Sequence, residues 1–279
     1  MRQILATTLA ATCRAAPFER GRWRLGALAA RLFEAGALPA ARRTITTRHG
    51  FAMSLDLRQL IDRAIYCQGE WEPLETALFA RVLRTGDQVA DVGANIGWFS
   101  LLAARLVGPG GRVHSIEANC DTFDFLQANL ALNACSNVTA RCLAVGEEAG
   151  LARIAPREVG NAGADGVELA AGGAGTVPLA RLDQLLKDNP LRLLKLDIEG
   201  WEAKALRGAE GLLRRREAPD LVFEFTPEFL SAADDEPRDL VAWLAGLGYL
   251  VRVVGKTGMH PPDEALYTRR QSYLYCTRG

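Results

Sequence analysis

The chain has 279 residues, 49% of them hydrophobic, which is enough for one α/β domain with a sizeable core and an appendage. Its 33 Lys and Arg balance its 33 Asp and Glu, so it lacks the broad basic field with which nucleic-acid binders collect phosphate contacts, and no nucleic-acid partner is expected. No apolar run reaches the ~18 residues that a membrane span needs, and six scattered cysteines with no Cys-x-x-Cys or zinc-type spacing read as free thiols of a reducing, cytoplasmic compartment.

Residues 1 to about 42 read as a helical appendage rich in Ala, Leu and Arg. The apolar stretch around Leu5 and Leu9 is broken by Thr7 and Thr8 and soon followed by Arg14, Arg20, Arg22 and Arg24. It is therefore taken as a helical lead-in rather than a signal peptide or a membrane-surface helix. Alternation on either side of His49 and Gly50 predicts a hairpin over 44–48 and 51–55. Helical spacing returns over 57–66, and Pro73 opens a further helix that stops at Thr85-Gly86-Asp87. The appendage and hairpin are assigned to residues 1–72 and the main domain to 73–279.

From Gln88 onward the pattern alternates: strand 88–92, helix 96–106, strand 112–116, helix 121–133, strand 137–142. Such alternation predicts a parallel sheet with helices on both faces. Residues 146–178, rich in glycine and alanine, interrupt it and read as an exposed hairpin or lid. Alternation resumes with helix 180–187, strand 192–197, helix 201–214, strand 220–225 and helix 234–246. The chain closes on segments 249–254 and 272–277, expected as an antiparallel pair at the sheet edge.

Two stretches carry chemistry. In the first, an apolar strand ends in Asp91 and a turn holding Gly93, Ala94, Asn95 and Gly97 leads into a helix. This is a way to hold a nucleoside-containing cofactor at the carboxyl edge of a parallel sheet. The dinucleotide fingerprint needs a middle glycine that is missing here, so the spacing suits S-adenosylmethionine better than a nicotinamide cofactor. Glu117, at the end of the next strand, falls where a carboxylate accepts hydrogen bonds from ribose hydroxyls. In the second, Lys195 and Asp197 share one side of an otherwise apolar strand, and Glu199 and Glu202 follow at once. Charge buried there is expensive unless it pairs or serves chemistry. Pairing of Lys195 with Asp197 or Glu72 is the bland alternative.

With these motifs the chain resembles the FkbM family of S-adenosylmethionine-dependent methyltransferases, over about residues 50–249. The match runs through Tyr66, Gly69, Trp71, Glu72 and Pro73; Gly86-Asp87; the 91–97 turn; and Gly111 to Glu117. It continues with Asn129, Asn133, Asn137 and Asp183, then Lys195-x-Asp197-x-Glu199-Gly200-x-Glu202, Phe223-Glu224 and Gly248-Tyr249. One departure is Ala118, where the family commonly has proline. The resemblance implies a Rossmann-like, seven-stranded class I methyltransferase sheet of order 3-2-1-4-5-7-6, usually acting on a hydroxyl oxygen.

On that basis Asp91, Gly93, Asn95, Gly97, Glu117 and Glu72 are expected to bind the cofactor, S-adenosyl-L-methionine. Asp197 is the leading general base or acceptor-orienting group and Glu199 the second, with Lys195 holding Asp197 ionised. Trp201, Glu202 and Glu224 are expected near the acceptor, a small hydroxyl-bearing molecule such as a sugar, a polyketide or another secondary metabolite. Asp197 and Glu199 also suit magnesium, but Lys195 would repel a second cation and no metal is assigned. Trp98 and His114 are expected to pack, and His49 and His260 to sit in turns. The competing classes are a nicotinamide-dependent oxidoreductase and a non-catalytic binding domain that retains the fold.

Overall fold

The computed structural model describes residues 2–16, 21–33, 35, 42–155 and 165–278. Helices α1 (Arg2–Ala15) and α2 (Arg22–Leu32) precede a hairpin of β1 (Arg42–Thr46) and β2 (Ala52–Asp56), paired antiparallel with Ile45 opposite Met53. Helices α3 (Leu60–Gln68) and α4 (Pro73–Val82) follow. The first of these ends on Gly69 at φ 73, and the second begins with proline at its first turn, where the missing N–H costs nothing. Then come β3 (Gln88–Val92), α5 (Trp98–Val107), β4 (Arg112–Glu117), α6 (Cys120–Leu132), β5 (Val138–Cys142) and the short β6 (Ala144–Val145). The Asn119 side chain caps α6 by accepting from the N–H groups of Asp121 and Thr122.

Residues 146–178 form strands β7 (Gly150–Ala155), β8 (Gly166–Ala170) and the start of β9 (Thr176–Ala180). With β6 these build a separate four-stranded sheet of order β6-β9-β7-β8, so the expected hairpin is part of a small sheet. Residues 156–164 of that stretch lie outside the described residues. The chain continues through α7 (Leu182–Leu185), β10 (Leu193–Leu196), α8 (Glu202–Arg207), α9 (Glu210–Leu213), β11 (Asp220–Phe225), α10 (Pro227–Ala232), α11 (Pro237–Gly246), β12 (Tyr249–Gly255), β13 (Gly258–His260) and β14 (Ser272–Arg278).

The main sheet runs β5-β4-β3-β10-β11-β14-β12-β13. Its first five strands are parallel, and β14 lies antiparallel to both β11 and β12. Without β13 this is the order 3-2-1-4-5-7-6. The sheet has eight strands rather than seven, because the chain after β12 turns back at Gly258 (φ 126) and pairs Met259 with Val254. Strand order reverses between β3 and β10, where α/β sheets bind ligands beyond the carboxyl ends of their strands.

One apolar cluster joins the α1–α2 segment and the hairpin to α4, α5 and α6: Ala6, Ala29, Phe33, Met53 and Leu55 pack with Phe79, Phe99, Leu101 and Leu126. Polar side chains fasten the hairpin as well. Asn129 and Asn133, one turn apart on α6, each act as a short strand edge. Asn129 takes the Ser54 N–H at 2.7 Å; Asn133 takes the Ala52 N–H at 2.8 Å and returns its own N–H to the Ala52 carbonyl at 2.7 Å. Asn129 also donates to the Ile96 carbonyl at 2.9 Å, so the hairpin is tied to the glycine turn itself.

Candidate active site

A cleft of about 500 Å³ opens beyond the carboxyl ends of β3, β4, β10 and β11. One wall is the turn after β3. Gly93 has φ 72, and a Cβ there would stand 1.8 Å from the Asp197 carbonyl oxygen. Only glycine therefore lets the β3 and β10 turns meet. Gly97 (φ 98) opens α5, and a Cβ there would come within 2.8 Å of Leu126. Asn95 is held left-handed at φ 49 and offers its backbone N–H to Glu117 Oε2 at 2.8 Å. The other oxygen, Oε1, accepts from Asn119 N–H at 2.8 Å. Burial raises the Glu117 carboxyl to about 7, against the two N–H bonds that favour its charge.

The far wall is a carboxylate cluster around one lysine. Lys195 Nζ is 3.5 Å from Asp91 Oδ1 and 3.4 Å from Asp197 Oδ2, and lies over the Phe99 ring at 4.9 Å. Burial opposes its charge, but Asp197, Asp91 and Glu72 together outweigh that and push its pKa up. Asp91 is fully buried and does not line the cleft; its second oxygen accepts from Ser100 Oγ at 2.6 Å, and Ser100 bonds Ser115 at 2.7 Å. Burial also raises its pKa, with Lys195 opposing. Asp91 thus serves as the counter-ion of Lys195 and an anchor for α5.

Glu72 stands at the N-terminus of α4 in a left-handed conformation (φ 43), and its side chain reaches across to β14, where Tyr273 donates to its Oε1 at 2.5 Å. The same hydroxyl stands 3.4 Å from Asp197 Oδ2. Burial first, then the Asp197 charge, raises Glu72 to about 8. Glu224 at the end of β11 is 4% exposed and receives a hydrogen bond from the Gln271 amide on Oε1, while its Oε2 has no hydrogen-bond partner among the described residues. Burial and the nearby carboxylates, Asp197 first among them, raise it to about 10. Glu199, at φ 55, lies in the turn after β10. Among the described residues five non-glycine positions have positive φ, and three of them (Glu72, Asn95 and Glu199) line the cleft; such strain gathers where function over-determines the backbone.

The structure brings together Lys195, Asp197, Glu199, Glu72, Glu224, Gly93, Asn95 and Glu117 on one cleft. It does not bring Trp201 or Glu202, expected near the acceptor, to its lining. Glu202 is 1% exposed and folds back to accept the N–H groups of Ile198 (2.8 Å) and Gly200 (2.9 Å), so it builds the turn that presents Asp197 and Glu199. Trp201 is turned toward Gly146, with Lys204 over its ring at 5.0 Å. Trp98 packs edge-on against Phe51 and donates to Thr76 Oγ1 at 2.9 Å. Residues the sequence did not single out also line the cleft: Tyr273 and Gln271 from the terminal strand region, and Ile154, Asp165 and Val167 from the small sheet. Asp165 accepts from Asn119 Nδ2 at 2.7 Å, which joins that sheet to the Glu117 corner.

Among the described residues, Asp197, Glu199 and Glu224 form a group whose ligand oxygens all lie within 4.8 Å of one another. No helix among them is long and apolar enough to cross a membrane.

Among known proteins, 31-O-demethyl-FK506 methyltransferase FkbM of Streptomyces tacrolimicus is 44% identical over 72 residues, which is 26% of this chain and 27% of that protein. The match thus spans about a quarter of the curated relative's length. Solved structures with distant likeness include fibrillarin of Aeropyrum pernix with natively bound S-adenosyl-L-methionine, 15% identical over 74% of this chain and 74% of that one at a TM-score of 0.44. Another is a SAM-dependent O-methyltransferase of Thermotoga maritima, 16% identical over 88% of this chain and 81% of that one at 0.43. The methyltransferase FkbM domain matches residues 91–251, from Asp91 at the end of β3 to Val251 in β12 and so over most of the sheet that frames the cleft. The chain belongs to the FkbM methyltransferase family, and the cofactor that goes with that membership is S-adenosyl-L-methionine.

Proposed function

We propose that this chain transfers the methyl group of S-adenosylmethionine to a hydroxyl oxygen of a small molecule, a sugar, polyketide or other secondary metabolite. The observation that carries this reading is the meeting of the Gly93 and Asp197 turns at the point where strand order reverses. It sets Glu117, the carboxylate we assign to the ribose, on one side of the cleft and a lysine-anchored carboxylate, Asp197, on the other. The glycine turn and Glu117 suit the donor: each Glu117 oxygen takes one backbone N–H, which leaves lone pairs for ribose hydroxyls.

The donor supplies an activated methyl on a sulfonium. The protein aligns it with the acceptor, excludes water and removes the hydroxyl proton as the new bond forms. Asp197 does the last of these or orients the hydroxyl, with Lys195 Nζ 3.4 Å from its Oδ2, and Glu72 and Glu224 surround the cationic centre. The free cysteines among the described residues suit a reducing compartment, and we place the protein in the cytoplasm.

The test is transfer of a labelled methyl from the donor to a panel of hydroxyl-bearing small molecules, with the linkage of the product read by NMR. A methyl ether on a small molecule is expected. A methyl on nitrogen, or label recovered only in nucleic acid, would contradict the reading.

A further inference from the structure

The helical pair near the start of the chain is built inside out. Helices α1 and α2 pack on each other and on α3, and the apolar residues they bury are small: Ala6, Ala10 and Cys13 from α1, Gly26 and Ala29 from α2. The approach is close, and a Cβ at Gly26 would stand 2.6 Å from the Gln68 side chain. The larger apolar side chains are turned outward instead: Ile4 is 72% exposed, Leu5 51%, Trp23 59% and Leu28 47%. Among the described residues nine large apolar side chains are exposed, and these two helices, 14 and 11 residues long, carry four of them. Single exposed leucines are ordinary on any surface, whereas such a concentration marks a contact.

Charge is segregated in the same place. Residues 1–48 hold nine arginines against two glutamates, while the remainder holds 24 basic and 31 acidic residues. Three of the arginines fasten the helices to α3 and its flanks. Arg14 donates to the Tyr66 carbonyl, Arg22 Nη2 pairs with Glu70 at 3.0 Å, and Arg48 donates to the Ala16 carbonyl at 2.7 Å. Arg2, Arg24 and Arg31 are exposed, and no described acid pairs with them. Arg24 lies over the Trp23 ring at 5.9 Å, so a cation and an aromatic ring share one exposed spot.

Exposed apolar side chains beside arginines without counter-charges fit the headgroup layer of an anionic bilayer. There the arginines meet lipid phosphates, and Trp, Leu and Ile enter the acyl boundary. A second copy of the chain would set these arginines against one another across a two-fold interface. A nucleic acid would give the aliphatic side chains nothing to bury against, because phosphate contacts call on charge and hydrogen bonds. We propose that α1 and α2 dock the protein peripherally on an anionic lipid surface. The acidic remainder of the chain is repelled by the same surface, which orients the molecule with its basic end toward the lipid. In the sequence Arg14 and Arg22 weigh against a membrane-surface helix; folded, both are spent on α3 and its flanks and leave the outer side to Arg2, Arg24 and Arg31. Helix α3, the platform for both, also supplies Leu60 and Ile61 to the cleft wall, so the docking face and the site share an element.

The test is flotation of the full chain with vesicles of phosphatidylcholine alone and of phosphatidylcholine mixed with phosphatidylglycerol, at low and at high salt. Binding to the mixed vesicles is expected to be about tenfold or more tighter than to phosphatidylcholine and to weaken as salt is raised. The double variants Arg24→Gln with Arg31→Gln, and Trp23→Ser with Leu28→Ser, should each cut that binding by about tenfold or more. All four positions are exposed, so an unchanged melting temperature distinguishes a lost surface from a lost fold. Absence of binding to the mixed vesicles, equal binding to both compositions, or full binding retained by either double variant would each overturn the proposal. So would a dimer in solution that Trp23→Ser with Leu28→Ser dissolves, which assigns the face to a second copy, or tighter binding of an RNA oligonucleotide than of the vesicles.

Discussion

Lys195 sits in a strand whose other residues are all leucine, and it is 2% exposed. Such a charge stays in place only because carboxylates on both sides hold it: Asp91 from β3 and Asp197 from its own strand end. Much of this was legible in the sequence, since a lysine and an aspartate two apart on an apolar strand must share a face. The partners on the other side were not. Tyr273 lies in β14, between β11 and β12, and nothing local marks a hydroxyl that will reach Glu72, some two hundred residues away along the chain. Glu202 shows the opposite error, because an acid in a charged motif looks available until its backbone partners at Ile198 and Gly200 are seen. The division of labour proposed for Asp197 has a direct consequence. Asp197→Asn keeps shape but removes the basic oxygen, so donor affinity should stay within a few fold while turnover falls by about a hundredfold or more. Titration of donor product beside steady-state rates checks both; loss of donor binding in the variant would make Asp197 a cofactor ligand.

At the level of elements, the β3–α5 turn and the strand–helix alternation that follows were readable because period and punctuation agree there. The small sheet over 144–180 was not, because its strands are short and its glycines mask alternation. Likewise β13 is only three residues long. The predicted helix over 201–214 is two, α8 and α9, divided at Gly208. A Cβ at that position would meet the Gly146 carbonyl oxygen at 2.0 Å, so the break lets the segment after β6 pass against the helix pair. This packing requirement comes from residues far away in the chain and leaves no periodic trace. Gly208→Ala should therefore destabilise the protein by about 1–3 kcal/mol through overpacking, read as a lower denaturant midpoint. A midpoint unchanged from the parent protein would show that the two backbones separate freely.

For the whole molecule, the buried acids act together on stability. Burial raises Asp62, Glu117 and Glu202 to about 7 and Glu72 to about 8. For a carboxyl whose folded pKa lies above its unfolded value, the folded state binds more protons, so stability is complete below about pH 4.5 and is lost as pH rises through the folded value. The melting temperature of the ligand-free protein should accordingly fall between about pH 5 and pH 8. Asp62→Asn, away from the cleft, should remove part of the slope. A melting temperature that holds or rises across that range would contradict the burial of these groups as charged or chargeable acids. The roles proposed for the cleft depend on the Gly93 turn and Glu117 holding S-adenosylmethionine. Calorimetric titration of the parent protein and of Glu117→Gln with S-adenosylhomocysteine and with NAD tests it most directly. S-adenosylhomocysteine should bind and, at a hundred times its Kd, stabilise the fold by about 2.7 kcal/mol, while NAD does neither. Glu117→Gln should weaken that binding by about 1.5–3 kcal/mol, the scale of charge-assisted hydrogen bonds. Binding of NAD as tight as that of S-adenosylhomocysteine, or full affinity retained in Glu117→Gln, would contradict the claim.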